Sequence, residues 1–355
     1  MKTYQQLWQS LTPLYDAGEA QAIVRTVLDV KYGMTLTDII CGKVNELSSD
    51  EEKKLEEIIE RLQNAEPVQY ILGEADFEGR TFHVEPGVLI PRPETAELCH
   101  WIEEDCKAEE HSTDKEGTAP RRILDICSGS GCIAITLALD IADSEVEGWD
   151  ISEDALRIAK DNAMVLDAKN VKIAYRDALN LTKGIKGFGK SISDCEKWDV
   201  IVSNPPYICE KEKKDMEKNV LEYEPDIALF VPDEDPLRFY RAIAKYAAAA
   251  LKPGGCLYFE INPIYEKEMR TMLEKLHFIN IETREDAYGK KRMMKATPKD
   301  DSQLWKKDNT SEGMIYGLLL GTVVYAMTKE VYWMPIGMLF GIAFTNLWNH
   351  NKEKK

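Results

Sequence analysis

Histidine is scarce in this 355-residue chain, and cysteine never recurs at a metal-binding spacing. The five histidines stand at 83, 100, 111, 277 and 350, and no two of the eight cysteines form a Cys-x-x-Cys pair. That excludes a zinc finger or ribbon and leaves reduced, partly buried thiols as the expectation. Positive charge is short as well: 45 Lys and Arg stand against 62 Asp and Glu, for a net charge of −17. Non-specific affinity for phosphate backbones comes largely from Lys and Arg, so no stable nucleic-acid binding is expected. The first 21 residues lack the apolar core and cleavage site of a secretory signal. Tyr4, Leu7, Trp8 and Leu11 recur there at helical spacing instead.

What is present divides into segments. Residues 1–72 read as a small all-helical domain. In "DEEKKLEEIIERLQNAEP", Leu55, Ile58, Ile59 and Leu62 share one face, behind an N-cap at Ser48 or Ser49. Residues 73–92 carry short alternating runs on either side of Glu78-Gly79-Arg80, a β-hairpin pattern, and Pro93 then opens a helix. The polar stretch 107–122 reads as a solvated linker. From 122 strands and helices alternate, which predicts a mostly parallel, Rossmann-like sheet with helices on both faces. The Gly- and Lys-rich stretch "LTKGIKGFGKSISDCEKW" reads as a mobile surface loop, and two strands close the domain about Tyr288-Gly289.

Three strand ends carry the chemistry. "LDICSGSGCIAI" sets Asp125, Cys127, Ser128, Gly129, Ser130 and Gly131 between the first strand and its helix. Glycines there let the chain turn tightly and a ligand approach the backbone. The spacing is not that of a dinucleotide fingerprint, and no phosphate-gripping lysine follows. Asp150 closes the second strand, where a carboxylate can take both hydroxyls of a ribose. Asp177 closes the third, where an acceptor can meet an adenine amine. Each acid alone would serve as a helix cap or a solvated strand end. Together with the glycine loop they outline a pocket for adenosine without phosphate, which points to S-adenosylmethionine.

The fourth strand, "DVIVS", runs into Asn204-Pro205-Pro206-Tyr207. Prolines cannot donate to a ladder, so the strand stops there on a stiffened elbow. The Asn204 side-chain oxygen and the Pro205 carbonyl are both acceptors, able to take the two hydrogens of one planar –NH₂ group. Holding both hydrogens turns the lone-pair face of a poor, conjugated nitrogen nucleophile toward a methyl donor. Tyr207 is expected to lie flat against the planar group. The same elbow would suit an adenine amine of DNA or RNA, which the acidic charge disfavours.

With these residues in view, the chain over about 1–296 resembles the release factor glutamine methyltransferases, the PrmC/HemK family. The resemblance rests on "PVQYILGEADFEGRTFHVEPGVLIPRPETAEL", "LDICSGSGCIAI", "DVIVSNPPYI" followed by "EYEPDIALF", and "REDAYGKKRMM". It implies a helical substrate-docking domain (1–72), a hairpin linker (73–92) and a class I methyltransferase domain (93–296). It also implies methyl transfer from S-adenosylmethionine to the glutamine amide in the Gly-Gly-Gln loop of translation release factors. By position, Gly129 and Gly131 would line the methionine part of the cofactor and Asp150 would hold its ribose. Asn204 and Pro205 would hold the amide, with Pro206, Tyr207 and the Arg92-Pro93-Glu94 segment shaping the pocket. The chain departs from the family at Cys127, commonly glycine, at Ala96, usually an acid, and at Asn262 and Tyr265, where many relatives carry Gly and Gln. A ribosomal-protein glutamine methyltransferase differs only in the substrate read by the helical domain. A degenerate, non-catalytic scaffold conflicts with intact Asn204, Asp150, Gly129 and Gly131.

Beyond a polar linker (297–312) come two apolar runs, "GMIYGLLLGTVVYAM" and "VYWMPIGMLFGIAFTNLW", each with a Gly-x-x-x-Gly spacing that lets helices approach closely. Lysines flank both ends of the pair. The expectation is a hydrophobic helical hairpin over 313–355 that associates with a membrane through 313–348, holding a cytoplasmic enzyme at the inner face of the cell membrane. Both runs are short for a span, and the competing reading is a helical pair packed on protein.

Overall fold

The computed structural model describes residues 2–112, 119–181 and 197–299, and residues 1–298 form one compact unit. The helical segment is built from α1 (Tyr4–Gln9), α2 (Ala17–Tyr32), α3 (Leu36–Ile40), α4 (Ser49–Gln63) and α5 (Val68–Leu72). Ser48 is the N-cap of α4: its hydroxyl accepts from the Glu51 N–H, while the Glu51 carboxylate accepts the Ser48 N–H at 2.8 Å. Leu7, Leu11, Val24, Leu28, Ile59 and Leu62 meet in a core of their own.

Next come β1 (Glu74–Phe77) and β2 (Arg80–His83), paired antiparallel with Phe77 opposite Arg80. Glu78 and Gly79 both take positive φ, 53° and 67°, as a two-residue turn matched to strand twist requires. Pro93 opens α6, which runs to Ser112. The linker expected from 107 therefore begins later, because "KAEEHS" continues the helix with good helix formers.

The main sheet has seven strands in the order β10-β11-β9-β6-β3-β4-β5. They are β3 (Arg121–Ile126), β4 (Ser144–Asp150), β5 (Val171–Tyr175), β6 (Trp198–Ser203), β9 (Leu251–Glu260), β10 (Phe278–Glu285) and β11 (Lys291–Pro298). The pairs linking β9, β6, β3, β4 and β5 are parallel, and β11 joins β9 and β10 antiparallel. A two-residue ribbon, β7 (Ile208–Cys209) with β8 (Phe230–Val231), lies apart from this sheet. α7 (Cys132–Asp140) follows β3, α8 (Glu153–Val165) follows β4, and helix Arg238–Ala250 leads into β9. Separate apolar clusters, one around Trp101, Ile135 and Val202 and another around Trp198, Tyr240 and Phe259, make a doubly covered sheet.

Among the described residues no helix is long and apolar enough to cross a membrane. The expected hairpin over 313–355 and the Gly- and Lys-rich stretch from 182 to 196 lie outside the described residues.

Candidate functional site

The parallel strands β3, β4, β5 and β6 all end on one side, where open sheets of this topology hold their ligands. A cavity of about 370 Å³ opens there, lined by residues following all four strand ends and by the stretch between β2 and α6.

The first wall is the loop after β3. Cys127 and Ser128 both donate backbone N–H to the Trp149 carbonyl, at 2.8 and 3.1 Å, so the loop bends back over the end of β4. Cys127, Gly129 and Gly131 take φ of 66°, 53° and 81°. The two glycines serve different ends. A Cβ on Gly129 would meet nothing within 4 Å, whereas one on Gly131 would press on Ile135 Cδ1 at 3.0 Å and Ala159 Cβ at 3.1 Å. Gly129 opens the backbone to the cavity, and Gly131 lets α8 close on α7.

Asp150, at the end of β4, accepts the Gly129 N–H on Oδ2 and the Ser152 N–H on Oδ1, both at 2.9 Å. Burial pushes its carboxyl up, and the N–H groups of Ser152, Gly129 and Ile151 pull it back down. Asp177, beyond β5, accepts the Leu179 N–H at 2.8 Å and the Asn180 side-chain amide, so it also shapes its own turn. Both acids line the cavity, together with Cys127, Ser128, Gly129, Ser130, Arg92, Asn204 and Pro206.

The remaining expected residues stand outside the lining. Asp125 is fully buried beneath the loop, and neither of its oxygens makes a well-formed hydrogen bond among the described residues. Desolvation drives its carboxyl up to about 8, opposed by the Ala134 N–H in the first turn of α7 and assisted by the Asp150 charge. Gly131 faces α8. Pro93 and Glu94 begin α6, and Pro205 is buried inside the elbow. Tyr207 does not present its face to the cavity as expected; its hydroxyl instead donates to Glu260 Oε1 at 3.0 Å.

The elbow is fastened from several sides. Ser203, the last residue of β6, donates its hydroxyl to the Ile126 carbonyl at 2.5 Å. The Tyr207 N–H donates to the Leu229 carbonyl at 3.2 Å, which folds "EYEPDIALF" over the cavity mouth with Ile227, Ala228 and Phe230 on its lining. Arg92 pairs with the buried carboxylate of Glu224, which also accepts the Ile90 N–H at 3.2 Å. Asn262 caps its own turn, accepting the Ile264 N–H at 3.1 Å and donating to the Tyr207 carbonyl at 3.3 Å.

Two residues had not been singled out. Thr95, in the first turn of α6, lines the cavity, and Glu260 ends β9 fully buried. The Asn204 side-chain amide donates to Thr95 Oγ1 at 3.3 Å, and the Thr95 hydroxyl donates to Glu260 Oε2 at 2.6 Å. An acid inside the apolar run "LYFEI" was the available signal for Glu260. Thr95 had only its place beside Arg92-Pro93-Glu94.

Comparison with known proteins adds the following. Residues 118–312 match the family model for a methyltransferase domain, and residues 12–73 match that for a PrmC N-terminal domain. The release factor glutamine methyltransferase of Bacteroides thetaiotaomicron is 46% identical over 288 residues, covering 81% of this chain and 96% of its own. That of Flavobacterium psychrophilum is 38% identical over 297 residues, covering 83% and 98%. Among solved structures, a Thermus thermophilus 16S rRNA N2 G1207 methyltransferase in complex with AdoMet and guanosine superposes with a TM-score of 0.43 at 21% identity. That match covers 64% of this chain and 50% of the other.

Proposed function

From the premise that this chain belongs to the release factor glutamine methyltransferase family, we propose that it methylates the side-chain amide nitrogen of the glutamine in the Gly-Gly-Gln loop of translation release factors. The chain is a methyltransferase, and its cofactor is S-adenosylmethionine. The residues present suit that cofactor. Gly129 leaves open space where any other side chain would project, and Asp150 keeps acceptor capacity beyond its two backbone bonds. Asp177 stands across the same cavity beside Leu179. When bound, the cofactor supplies a methyl group made electrophilic by its sulfonium.

The protein's own part is to bind and orient the nitrogen. The Asn204 Oδ1 and the Pro205 carbonyl accept the two hydrogens of the glutamine amide, which turns the nitrogen lone pair out of conjugation and toward the donor. As the C–N bond forms the nitrogen gains positive charge, both N–H groups become better donors, and the two acceptors bind more tightly than in the ground state. A methylated amide nitrogen is strongly acidic and sheds its proton without a dedicated base. Arg92, Pro93 and Glu94 shape the rim, and Pro206 and Tyr207 stiffen the elbow. The observation that carries this reading is that Asn204 lines one cavity with Asp150 and Gly129.

The test is incubation of purified protein with labelled cofactor against release factors, ribosomal proteins and DNA, followed by mass spectrometry. The expected product is a singly methylated Gly-Gly-Gln glutamine, with Asn204→Ala slower by about 100-fold or more. Label on a ribosomal protein or on DNA alone, or an Asn204→Ala rate equal to wild type, would sink it.

A further inference from the structure

The chain of hydrogen bonds behind Asn204 has a direction. Glu260 sits at the end of β9 with 2% exposure and receives two hydroxyls, Thr95 on Oε2 at 2.6 Å and Tyr207 on Oε1 at 3.0 Å. Burial pushes the Glu260 carboxyl up, while the Thr95 and Tyr207 hydroxyls and the Arg292 charge hold it back down; as the carboxylate these three favour, it only accepts. Thr95 has a single hydroxyl proton, and Glu260 takes it. What Thr95 can still offer is a lone pair, and the Asn204 amide meets it at 3.3 Å. The end of the amide on Thr95 must then be the NH₂ group, which leaves the carbonyl oxygen as the end directed away from the network. Asn204 lines the cavity. An acceptor at that position holds an incoming –NH₂, whereas a flipped amide would present donors and repel it.

We propose that Glu260 is a positioning residue that, through Thr95, fixes which end of the Asn204 amide serves as the hydrogen-bond acceptor for the substrate nitrogen. The inference rests on the function proposed above and adds to it a polarity device whose anchoring acid, Glu260, stands outside the lining of the pocket. Tyr207 belongs to the same device: its hydroxyl is the second donor on the carboxylate, so the elbow is pinned at both of its polar residues by one acid. The Tyr240 hydroxyl holds the backbone of that acid in turn, donating to the Glu260 carbonyl at 3.1 Å. A glutamine at 260 would fill the same space but place a donor in the network. Thr95 could then turn its proton toward Asn204, and either amide orientation would be satisfied.

The experiment compares wild type, Glu260→Gln, Thr95→Val and Thr95→Ser, each checked for an unchanged Tm. Glu260→Gln and Thr95→Val are expected to lower kcat on release factor by about 10- to 100-fold, with cofactor affinity by calorimetry within about threefold of wild type. Thr95→Ser, which keeps the hydroxyl, is expected to stay within about threefold in both. The Glu260→Gln/Thr95→Val double variant is expected to be no slower than the slower single, because both changes break one chain. A second readout needs no turnover. In protein labelled with ¹⁵N-asparagine, the Asn204 side-chain amide protons, assigned by their loss in Asn204→Asp, should exchange slowly in wild type and at least about tenfold faster in Glu260→Gln. Wild-type protein inactive on release factor would overturn the functional reading, and the exchange readout would still judge the network. Folded Glu260→Gln with wild-type kcat, or with unchanged Asn204 exchange, would overturn the network alone.

Discussion

At the scale of single residues, the loop after β3 combines strain with charge burial. Cys127 occupies the left-handed region with a Cβ, at φ 66°, an arrangement that costs about 1–2 kcal/mol for a non-glycine residue. Replacing it directly by glycine would mix relief of strain with loss of the thiol's contacts, so alanine supplies the reference. Cys127→Gly is expected to be more stable than Cys127→Ala by about 1 kcal/mol in urea denaturation, since the two differ only by a Cβ in a left-handed position. Equal midpoints would show that the loop does not feel the strain. Asp125 makes a pH prediction. Its folded carboxyl is pushed up to about 8 by burial, against about 3.9 in an unfolded chain. The folded state therefore holds a proton that the unfolded state has lost, and stability from this group, fully present below pH 4, falls as pH rises to about 8. The slope approaches 1.4 kcal/mol per pH unit at its steepest. Asp125→Asn removes the titration, so its stability relative to wild type should rise between pH 5 and pH 8; parallel curves would refute the burial assignment. The places of Gly129, Asp150 and Asn204 on the cavity were legible in sequence because strand ends, glycines and prolines are local signals, whereas Asp125, expected beside them, lies buried beneath the loop. Thr95 and Glu260 were not legible, because their bond joins residues 165 apart in the chain and no local pattern encodes it.

At the scale of elements, period and punctuation carried most of the reading. The capped α4, the hairpin about Glu78-Gly79 and the five parallel strands each announce themselves within ten residues. The end of α6 did not: "KAEEHS" is polar enough for a linker, yet its Lys, Ala and Glu are also good helix formers and the helix runs on to Ser112. The closing of the cavity mouth was also hidden. Its determinant is Arg92, on the stretch before α6, bound to Glu224 of "EYEPDIALF", whose side chain is 1% exposed. Sequence reading assigned Arg92 to the substrate pocket, and it lines the cavity while its guanidinium also neutralises that buried acid. Removing one partner of a buried pair leaves the other charge uncompensated. Arg92→Ala is thus expected to lower stability by about 2–4 kcal/mol in thermal or chemical denaturation. Arg92→Ala/Glu224→Gln should recover part of that loss. Were Arg92→Ala as stable as wild type, the pair would be a surface contact of no consequence to the fold.

At the scale of the whole molecule, the described domain and the apolar carboxyl-terminal runs can be tested apart. The helical core around Leu7 and Leu62 and the two faces of the sheet are built from residues within 1–298, which form one compact unit, and the described site on the strand ends is assembled from Gly87 to Phe239 with Glu260 behind it. A truncation ending at Pro298 should therefore fold with the Tm of the full chain and methylate release factor within about threefold of its rate. A polar surface carrying a net −17 over the full chain repels an anionic lipid face. Any membrane affinity must then come from the apolar runs and their flanking lysines, whose Gly-x-x-x-Gly spacing is the sequence signature of closely packed helices. Fractionation of cells expressing the full chain and the truncation separates the two readings of the tail. Sedimentation of the full chain with membranes, and of the truncation with neither membranes nor aggregates, is the outcome expected of a tether. Equal solubility of the two would mean that the runs pack on protein and that the enzyme works free of any bilayer.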